Sequence, residues 1–288
     1  MTIRKIVAPL TGGERDRVVL ASAFAAARPC GGHVVALFVR PDPAEAMPFF
    51  GEGVSAVVVE EIVDVAKEAA DKAAAIAIAS LHAVARAESV AVLESPRRTD
   101  GASASFRDVQ GNFTDCVTNA ARLSDLVVFG PLSEGDKPGL TEAFQNTLIE
   151  TGRPVLLTAM IAPQDFAGKI ALAWDGSLAC SHAISAALPY LSGGAQIEVF
   201  SVRRGTSAEN SLAELREYLD LHDLACTEHT IEAGTKPVGQ ALLESAVASG
   251  AGLLVLGGYG HSRLRELFAR GITRHVVSHA TIPLFLVH

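Results

Sequence analysis

The strongest chemical signature lies near the carboxyl terminus, in GGYGHSRLRELFARGITRHVV, residues 257–277. Gly257, Gly258 and Gly260 let the backbone approach a ligand closely or adopt positive φ without a Cβ clash. The helical pattern that begins near Ser262 would present unpaired amides and the positive end of its dipole to an anion. This segment therefore suits a phosphate group. The alternative is a tight strand-to-helix turn that binds nothing.

A second candidate group, Asp175-Gly176-Ser177, follows an apolar strand in the second part of the chain. The Asp175 carboxylate could accept a hydrogen bond from a ribose hydroxyl, as acidic residues do in other nucleotide-binding folds. The alternative role for Asp175 is the N-cap of the next helix, and one residue can serve both roles. Ser177 is expected to be a cap or turn residue more than a ligand contact.

Basic side chains cluster around the same segments. Arginines follow the second strand of this part of the chain or lie on the loop helix and after it: Arg203, Arg204, Arg263, Arg265 and Arg274. Their positive potential would attract an anionic ligand even in an acidic protein, although solvated surface arginines are the commoner case.

Histidines in this region give little indication of a metal site. His275 and His279 are spaced i, i+4, so they share a helix face, but no third ligand is near in sequence. We expect them to lie on the helix surface. His261 lies within the glycine-rich loop, as a candidate ligand contact or as a turn residue.

The elements that must position these residues occur twice. Each copy begins with an apolar strand, a glycine-containing turn and an alanine-rich helix, and later strands also match. The aligned ranges are 5–27 with 169–191, 33–41 with 196–204, 124–130 with 251–257, and 152–159 with 281–288. The repeat predicts two domains, residues 1–161 and 167–288, which we call the first and second copy.

The alternation of strands and helices predicts an α/β fold with a parallel sheet in each copy. Continuous apolar runs such as LVVFG and LLVLG are typical of strands buried on both faces. Ligands of open parallel sheets bind beyond the carboxyl ends of the strands. Asp175, Val202 and Gly257 each stand at such an end in the second copy, so we expect them to share one edge.

Composition narrows the class of protein. The 288 residues are 49% hydrophobic and 19% charged, with a formal net charge of -8, which argues against nucleic acid or an anionic membrane as the main partner. The four cysteines are scattered without close pairs, which predicts buried free thiols in a reducing cytosol. No apolar run approaches the roughly 18 residues of a membrane helix. We therefore expect a cytoplasmic protein.

The chain resembles the universal stress protein family in its tandem two-domain form, over essentially its whole length. The segments that carry the resemblance are Trp174-Asp175-Gly176-Ser177, LLVLGGYGHSRL (253–264) and IPLFL (282–286). The resemblance implies two tandem doubly wound, Rossmann-like domains, each with a five-stranded parallel sheet, paired through their last strands. It also implies a role in stress survival and the binding of an adenine nucleotide, with ATP and an accompanying Mg as the expected ligand.

The family's phosphate loop, Gly-x2-Gly-x9-Gly-Ser/Thr, is matched only in part. Its first two glycines fall on Gly257 and Gly260, but the count then places Arg270 where the family has its third glycine. Gly271 and Thr273 would supply an amide and a hydroxyl if the loop shifts by a residue. The candidate nucleotide contacts are therefore Asp175, Gly176, Ser177, Val202, Gly257, Gly258, Gly260, His261, Gly271 and Thr273.

The first copy departs further from the family pattern. Thr11 stands where the second copy has Asp175, and Glu142 aligns with Gly271. A carboxylate at that position would repel a phosphate. We predict that the first copy has lost any nucleotide site and pairs with the second as an intramolecular pseudo-dimer, and the sequence leaves a further homodimer open.

No pattern of nucleophilic catalysis is present in the sequence. It contains neither a G-x-S-x-G elbow nor a P-loop lysine, and it identifies no general base. We expect no catalytic residues and no metal-ligating side chains, and a binder or a slow ATP hydrolase more than a fast ATPase. Two other readings stay open: a scaffold that binds no nucleotide, favoured by Arg270, and a different anionic metabolite in the same cleft.

Overall fold

A computed structural model describes residues 2–42, 56–132, 137–163, 166, 168–202, 206–232, 234–258 and 272–288. The first copy contains β1 (Lys5–Leu10), α1 (Asp16–Ala27), a 3-10 turn (Arg28–Cys30), β2 (His33–Arg40), α2 (Ala56–Ala87), β3 (Ala91–Val92), β4 (Ser103–Gln110), α3 (Phe113–Arg122), β5 (Leu126–Phe129), α4 (Leu140–Ile149) and β6 (Val155–Leu157). The second copy contains β7 (Lys169–Trp174), α5 (Leu178–Leu191), β8 (Gln196–Val202), α6 (Thr206–Asp220), β9 (Cys226–Ile231), α7 (Val238–Ala248), β10 (Leu253–Gly257), α8 (Ile272–His279) and β11 (Leu284–Val287).

All the described strands form one sheet, in the order β3-β4-β2-β1-β5-β6-β11-β10-β7-β8-β9. Within each copy the paired strands run parallel, and the order reverses beside the first strand, β1 or β7. The predicted tandem, doubly wound α/β fold is therefore confirmed. One detail differs from five strands per copy: the two-residue strand β3 extends the outer edge of the first copy beside β4.

The two copies meet through their last strands, as predicted. β6 and β11 pair antiparallel, with Leu284 opposite Leu157 and Leu286 opposite Val155. On one face of this junction the Tyr190 hydroxyl donates to the carbonyl of Ala26 in the first copy at 3.2 Å. The hydrophobic cores of the two copies are thus continuous across the junction.

Helices cover both faces of the sheet. Because each crossover is right-handed, crossovers that run in opposite directions from the first strand of a copy place their helices on opposite faces. The core of one face includes buried residues of α1, α2, α5 and α6, and the core of the other includes residues of α3, α4, α7 and α8. The central strands are apolar on both faces, as in β5 and β11, where every residue is buried. The carboxyl ends of the strands are left as the edge where polar residues gather.

The long helix α2 has 32 residues and packs on the sheet through a stripe that includes Ala74, Ala77, Leu81 and Val84. In the part of the chain that the structure describes, no helix has the length and apolarity needed to cross a bilayer. The described cysteines form no disulfide; Cys180 is buried as predicted, whereas the other three are only half-buried.

Candidate functional site

Strand register places three of the predicted site residues at one edge of the second copy. Trp174 on β7 is opposite Ser201 on β8, so Asp175 and Val202 follow at the same level. β10 pairs with the other side of β7, and its last residue is Gly257. The expected meeting of the three strand ends is therefore present.

The loop after β7 is held by its own hydrogen bonds. Asp175 Oδ1 accepts from the backbone N–H of Ser177 at 2.9 Å, and the Asp175 side chain is exposed. Ser177 is the N-cap of α5, where its Oγ accepts from the backbone N–H of Cys180 at 3.3 Å. The N-cap alternative is therefore wrong for Asp175 and right for Ser177, because the helix begins two residues later than a cap at Asp175 requires.

Gly176 has a positive φ of 74°, and helix α6 lies directly over it. A Cβ at this position would be 2.7 Å from Ser211 Oγ on α6. The indole Nε1 of Trp174 donates to the same serine, at 3.2 Å to its carbonyl oxygen and 3.1 Å to Oγ. The backbone conformation therefore favours glycine here, and the Ser211 side chain packs against it.

Gly257 lies against the first turn of α5. A Cβ on Gly257 would be 2.6 Å from the backbone nitrogen of Cys180 and 2.8 Å from the carbonyl carbon of Ala179. Both contacts are with backbone, which cannot turn aside as a flexible side chain can. Helix packing alone therefore explains this glycine.

Gly258 contacts both the last strand of the second copy and helix α4 of the first copy. Its N–H donates to the carbonyl of Val287 at 2.6 Å, and its carbonyl oxygen is 2.9 Å from His288 Nδ1. A Cβ there would be 2.9 Å from Leu148 Cδ2 on α4 of the first copy. Gly258 thus serves the contact between copies, a role that the glycine pattern in the sequence did not distinguish from ligand binding.

Cys180 belongs to the same cluster and was missed by sequence reasoning. Burial, and then the negative charge of Asp175, raise the pKa of the Cys180 thiol to about 11. The thiol is therefore protonated at neutral pH and is a packing group rather than a nucleophile. A scattered cysteine three residues after a cap carries no signal that would have identified it.

Much of the predicted phosphate loop lies outside the described residues. This applies to Gly260, His261, Gly271 and the arginines Arg203, Arg204, Arg263, Arg265 and Arg270. Thr273 is described: it is the second residue of α8 and is half-buried. The structure therefore brings together Asp175, Gly176, Ser177, Val202 and Gly257, with Gly258 beside them.

Helix α8 is positioned by α7. A Cβ on Gly239 would be 2.9 Å from the carbonyl oxygen of Ile272, so the two helices approach at backbone distance. The rings of His275 and His279 stack with centroids 4.2 Å apart, and His279 Nδ1 is 2.8 Å from the carbonyl oxygen of His275. The two histidines do share a helix face, as predicted.

The corresponding edge of the first copy is closed by polar contacts. By strand register, Thr11 and Val39 are the counterparts of Asp175 and Val202. The carboxylate of Asp16, only 2% exposed, accepts from the N–H groups of Thr11 at 2.9 Å and Gly12 at 2.8 Å. It also accepts from the Thr11 hydroxyl at 3.1 Å.

The ammonium group of Lys137 lies at the same edge of the first copy. Its Nζ donates to the carbonyl of Val39 at 3.0 Å and lies 4.7 Å from the ring centroid of Phe113 and 5.3 Å from that of Phe38. Burial lowers the pKa of Lys137, and the nearby charge of Asp16 acts in the opposite direction. Burial also raises the pKa of Asp16, against the effects of its hydrogen bonds and of Lys137. A cation of the protein itself thus occupies the first cleft.

A separate groove lies between β9 and α7, lined by residues that include Phe200, His229, Ile231 and Ala241. Its volume is about 720 Å³, and the Phe200 and His229 rings stack there at 4.9 Å. Of the predicted nucleotide contacts that the structure describes, none lines this groove.

Comparison with solved structures identifies the fold. A universal stress protein from Archaeoglobus fulgidus DSM 4304 matches 99% of this chain and 96% of its own, with a TM-score of 0.68 and 15% sequence identity. A Pseudomonas aeruginosa UCBPP-PA14 protein, provisionally described as a universal stress protein, matches 99% and 93%, with a TM-score of 0.56 and 15% identity. No protein-family model and no curated protein matches the sequence.

The same fold also occurs in another setting. The cytoplasmic domain of a prokaryotic cation chloride cotransporter matches 99% of this chain and 95% of its own, with a TM-score of 0.51 and 14% identity. The chain thus has the fold of tandem universal stress proteins over its whole length. Because one fold can carry several functions, the function has to be argued from the site.

Proposed function

We propose that this chain is a stress-response protein of the tandem universal stress type, whose second copy binds an adenine nucleotide, ATP, as a regulatory ligand. The observation that carries the proposal is the contrast between the two clefts. The first is filled by Lys137 and Asp16, whereas the equivalent edge of the second presents the exposed carboxylate of Asp175 beside the ends of β8 and β10. A polar edge at the reversal of strand order is where ligands of such sheets bind.

The described residues fit the nucleoside part of the ligand. Asp175 would accept a hydrogen bond from a ribose hydroxyl, and the backbone at Val202 would face the base. Gly176 forms the backbone of this loop beside Asp175, and Ser211 of α6 packs against it. Gly257 and the hydroxyl of Thr273 are the described groups proposed for the phosphates, together with Gly260 and Gly271; bound Mg would neutralise phosphate charge.

A second candidate function, a scaffold that binds no nucleotide, is favoured by the glycines themselves. Gly257 is explained by its approach to the backbone of Cys180, and Gly258 by its approach to Leu148. Neither contact needs a ligand, and Arg270 stands where the family pattern has a glycine. In this reading the chain acts through its surfaces.

Calorimetric titration with magnesium-ATP, on protein stripped of any carried-over ligand, separates the two functions. We expect one site per chain. Asp175→Ala should weaken binding about tenfold, the effect of losing one hydrogen bond to a charged group. Thr11→Ala is the matched control in the first copy and should leave affinity unchanged.

Each other outcome has a definite meaning. Two sites per chain would show that the first cleft also binds, contrary to the proposal. An unchanged affinity in Asp175→Ala would remove this residue from the site. No heat, together with no nucleotide-dependent rise in Tm, would favour the scaffold, because a ligand that binds only the folded state must stabilise it.

A further inference from the structure

Helix α2 carries a second apolar stripe that the protein's own core does not cover. Its members recur with alternating steps of four and three residues, the heptad spacing of a helix-to-helix seam. We call it the exposed stripe: Val58, Ile62, Val65, Ala69, Lys72, Ile76, Ala79 and Ala83. Val58, Val65 and Ile76 are 43%, 62% and 50% exposed, and Ile62 is half-buried.

This stripe is distinct from the face that packs on the sheet. The buried residues Ala74, Ala77, Leu81 and Val84 are centred about 130° around the helix from it, since each residue advances the helix by about 100°. The stripe spans 26 positions, or about 39 Å of helix at 1.5 Å per residue. A spacing of 3.5 residues kept over this length is what a second, supercoiled helix recognises.

We infer that the exposed stripe is a homodimer interface in which α2 packs antiparallel on α2 of a second copy of this chain. The sizes of the side chains select this orientation. When the stripe is reversed about its centre, Val58 faces Ala83, Ile62 faces Ala79, and Val65 faces Ile76. Large residues then meet small ones at two of the levels, as interdigitating layers require.

Charge selects the same orientation. Lys72 interrupts the apolar stripe, and its ammonium pairs with Glu68 of the same helix at 2.8 Å, with both side chains about 70% exposed. In the antiparallel arrangement Lys72 faces Ala69 of the second chain and reaches the neighbouring Glu68, giving two symmetric ion pairs. A parallel arrangement in register would place Lys72 against Lys72. A single polar residue in an apolar seam commonly fixes register and orientation in this way.

Sedimentation velocity over a range of concentrations tests the interface. We expect a reversible dimer whose dissociation constant rises about tenfold or more in Val65→Glu and in Ile76→Glu, because each buries an unpaired carboxylate. Val57→Glu is the matched control, since Val57 lies on the same helix, is 72% exposed and is outside the stripe. Lys72→Glu should weaken the dimer, and adding Glu68→Lys should restore it.

Disulfide trapping tests the orientation. A chain carrying both Val65→Cys and Ile76→Cys should cross-link between chains on oxidation, whereas either substitution alone should not exceed the background of the four native cysteines. Efficient cross-linking by Val65→Cys alone would overturn the antiparallel arrangement. A protein that stays monomeric at every concentration, or a dimer that Val65→Glu and Ile76→Glu leave unchanged, would overturn the interface itself.

Discussion

Asp16, which contacts Thr11 in the first copy, and Asp175, which is the counterpart of Thr11 in the second, lie at corresponding edges of the two copies and have opposite surroundings. Asp16 is buried and accepts three hydrogen bonds from Thr11 and Gly12, with the ammonium of Lys137 nearby. Asp175 is exposed and holds its loop through the N–H of Ser177. One carboxylate thus completes the interior of its copy, and the other is exposed at the edge where we propose that the nucleotide binds.

Under the proposed function, this contrast assigns a stabilising role to the first edge and a binding role to the second. A polar edge is needed for a ligand, but it leaves backbone groups that must be satisfied by something else when no ligand is present. The first copy satisfies them from within, by Asp16 and by the contact of Lys137 with the carbonyl of Val39. Among the described residues of the second copy, Asp175 is exposed at this edge, and α5 and α6 approach Gly257 and Gly176 closely.

The largest effect is expected at the paired glycines that end β10 and follow β5. Gly257→Ala should lower the free energy of unfolding by about 3 kcal/mol, because the new Cβ meets the backbone of α5 at 2.6 Å. Gly130→Ala should cost less than about 1 kcal/mol, because its nearest neighbour is a methyl of Val19 at 3.3 Å. Urea denaturation of both variants measures the difference. Equal losses would show that α5 can move away from β10.

Replacing the two aspartates should give free energies of unfolding that differ by less than those of the two glycine variants. Asp16→Ala should cost about 2 kcal/mol, because it leaves the buried amides of Thr11 and Gly12 without their acceptor. Asp175→Ala should cost about 0.5 kcal/mol, since Ser177 still caps α5. Thermal unfolding of the two variants measures both losses of stability. A larger loss in Asp175→Ala than in Asp16→Ala would show that the exposed loop contributes more to stability than the buried network does.

Lys137→Met tests the cation of the first cleft. It keeps the apolar stem but removes the hydrogen bond to Val39 and the contact with the Phe113 ring, so we expect a loss of about 1–2 kcal/mol at neutral pH. Lys72→Met, which removes an exposed ion pair, should change stability by less than about 0.5 kcal/mol in the monomer. Urea denaturation at low protein concentration compares the two.

Lys137→Met should also change how the stability of the protein depends on pH. Burial raises the pKa of Asp16 in the folded state above its ordinary value of 3.8. This group therefore stabilises the folded state below pH 3.8, and that contribution is lost as the pH rises through the folded-state pKa. Lys137 lowers the pKa of Asp16, so Lys137→Met should shift the loss to higher pH. Carboxyl NMR titration of Asp16 measures it directly, and an unchanged titration would place Lys137 outside the electrostatic field of Asp16.

The smallest effect is expected from Ser211→Ala, which makes the contact above Gly176 like that of the first copy. There, Ala73 of α2 takes the corresponding place, 2.6 Å from a Cβ on Gly12. Trp174 would keep its hydrogen bond to the Ser211 carbonyl, so Tm should fall by about 1–2 °C. A larger fall would mean that the hydroxyl, rather than close packing, holds α6 over the loop.

The sequence was sufficient for most of the fold, for identifiable reasons. Runs such as LVVFG and LLVLG are buried on both faces, and the structure has strands there, Leu126–Phe129 and Leu253–Gly257. A proline suits the beginning of a helix, and Pro237 stands directly before α7, which begins at Val238. The two-residue strand β3 had no apolar period and could not be predicted, because its pairing depends on where β4 lies.

The sequence predicts the role of a site residue only where that role depends on its neighbours along the chain. Ser177 was expected to cap a helix and does so, because capping depends on neighbours in sequence. The contacts of Lys137 and Gly258 depend on segments far away in the chain, Val39 and Leu148. A glycine needed for close packing and a glycine needed for a ligand are identical letters, so their roles separate only in three dimensions.

Trp174 gives the second cleft its own optical reporter. It is the only tryptophan in the chain, half-buried at the end of β7, with its indole N–H bonded to Ser211 on α6. Indole emission therefore arises entirely from the second copy, next to Asp175, and the first copy contributes no background to it. Any event that shifts α6 over this loop will change the wavelength or quenching of a single fluorophore, so opening of one copy can be followed without labelling the protein.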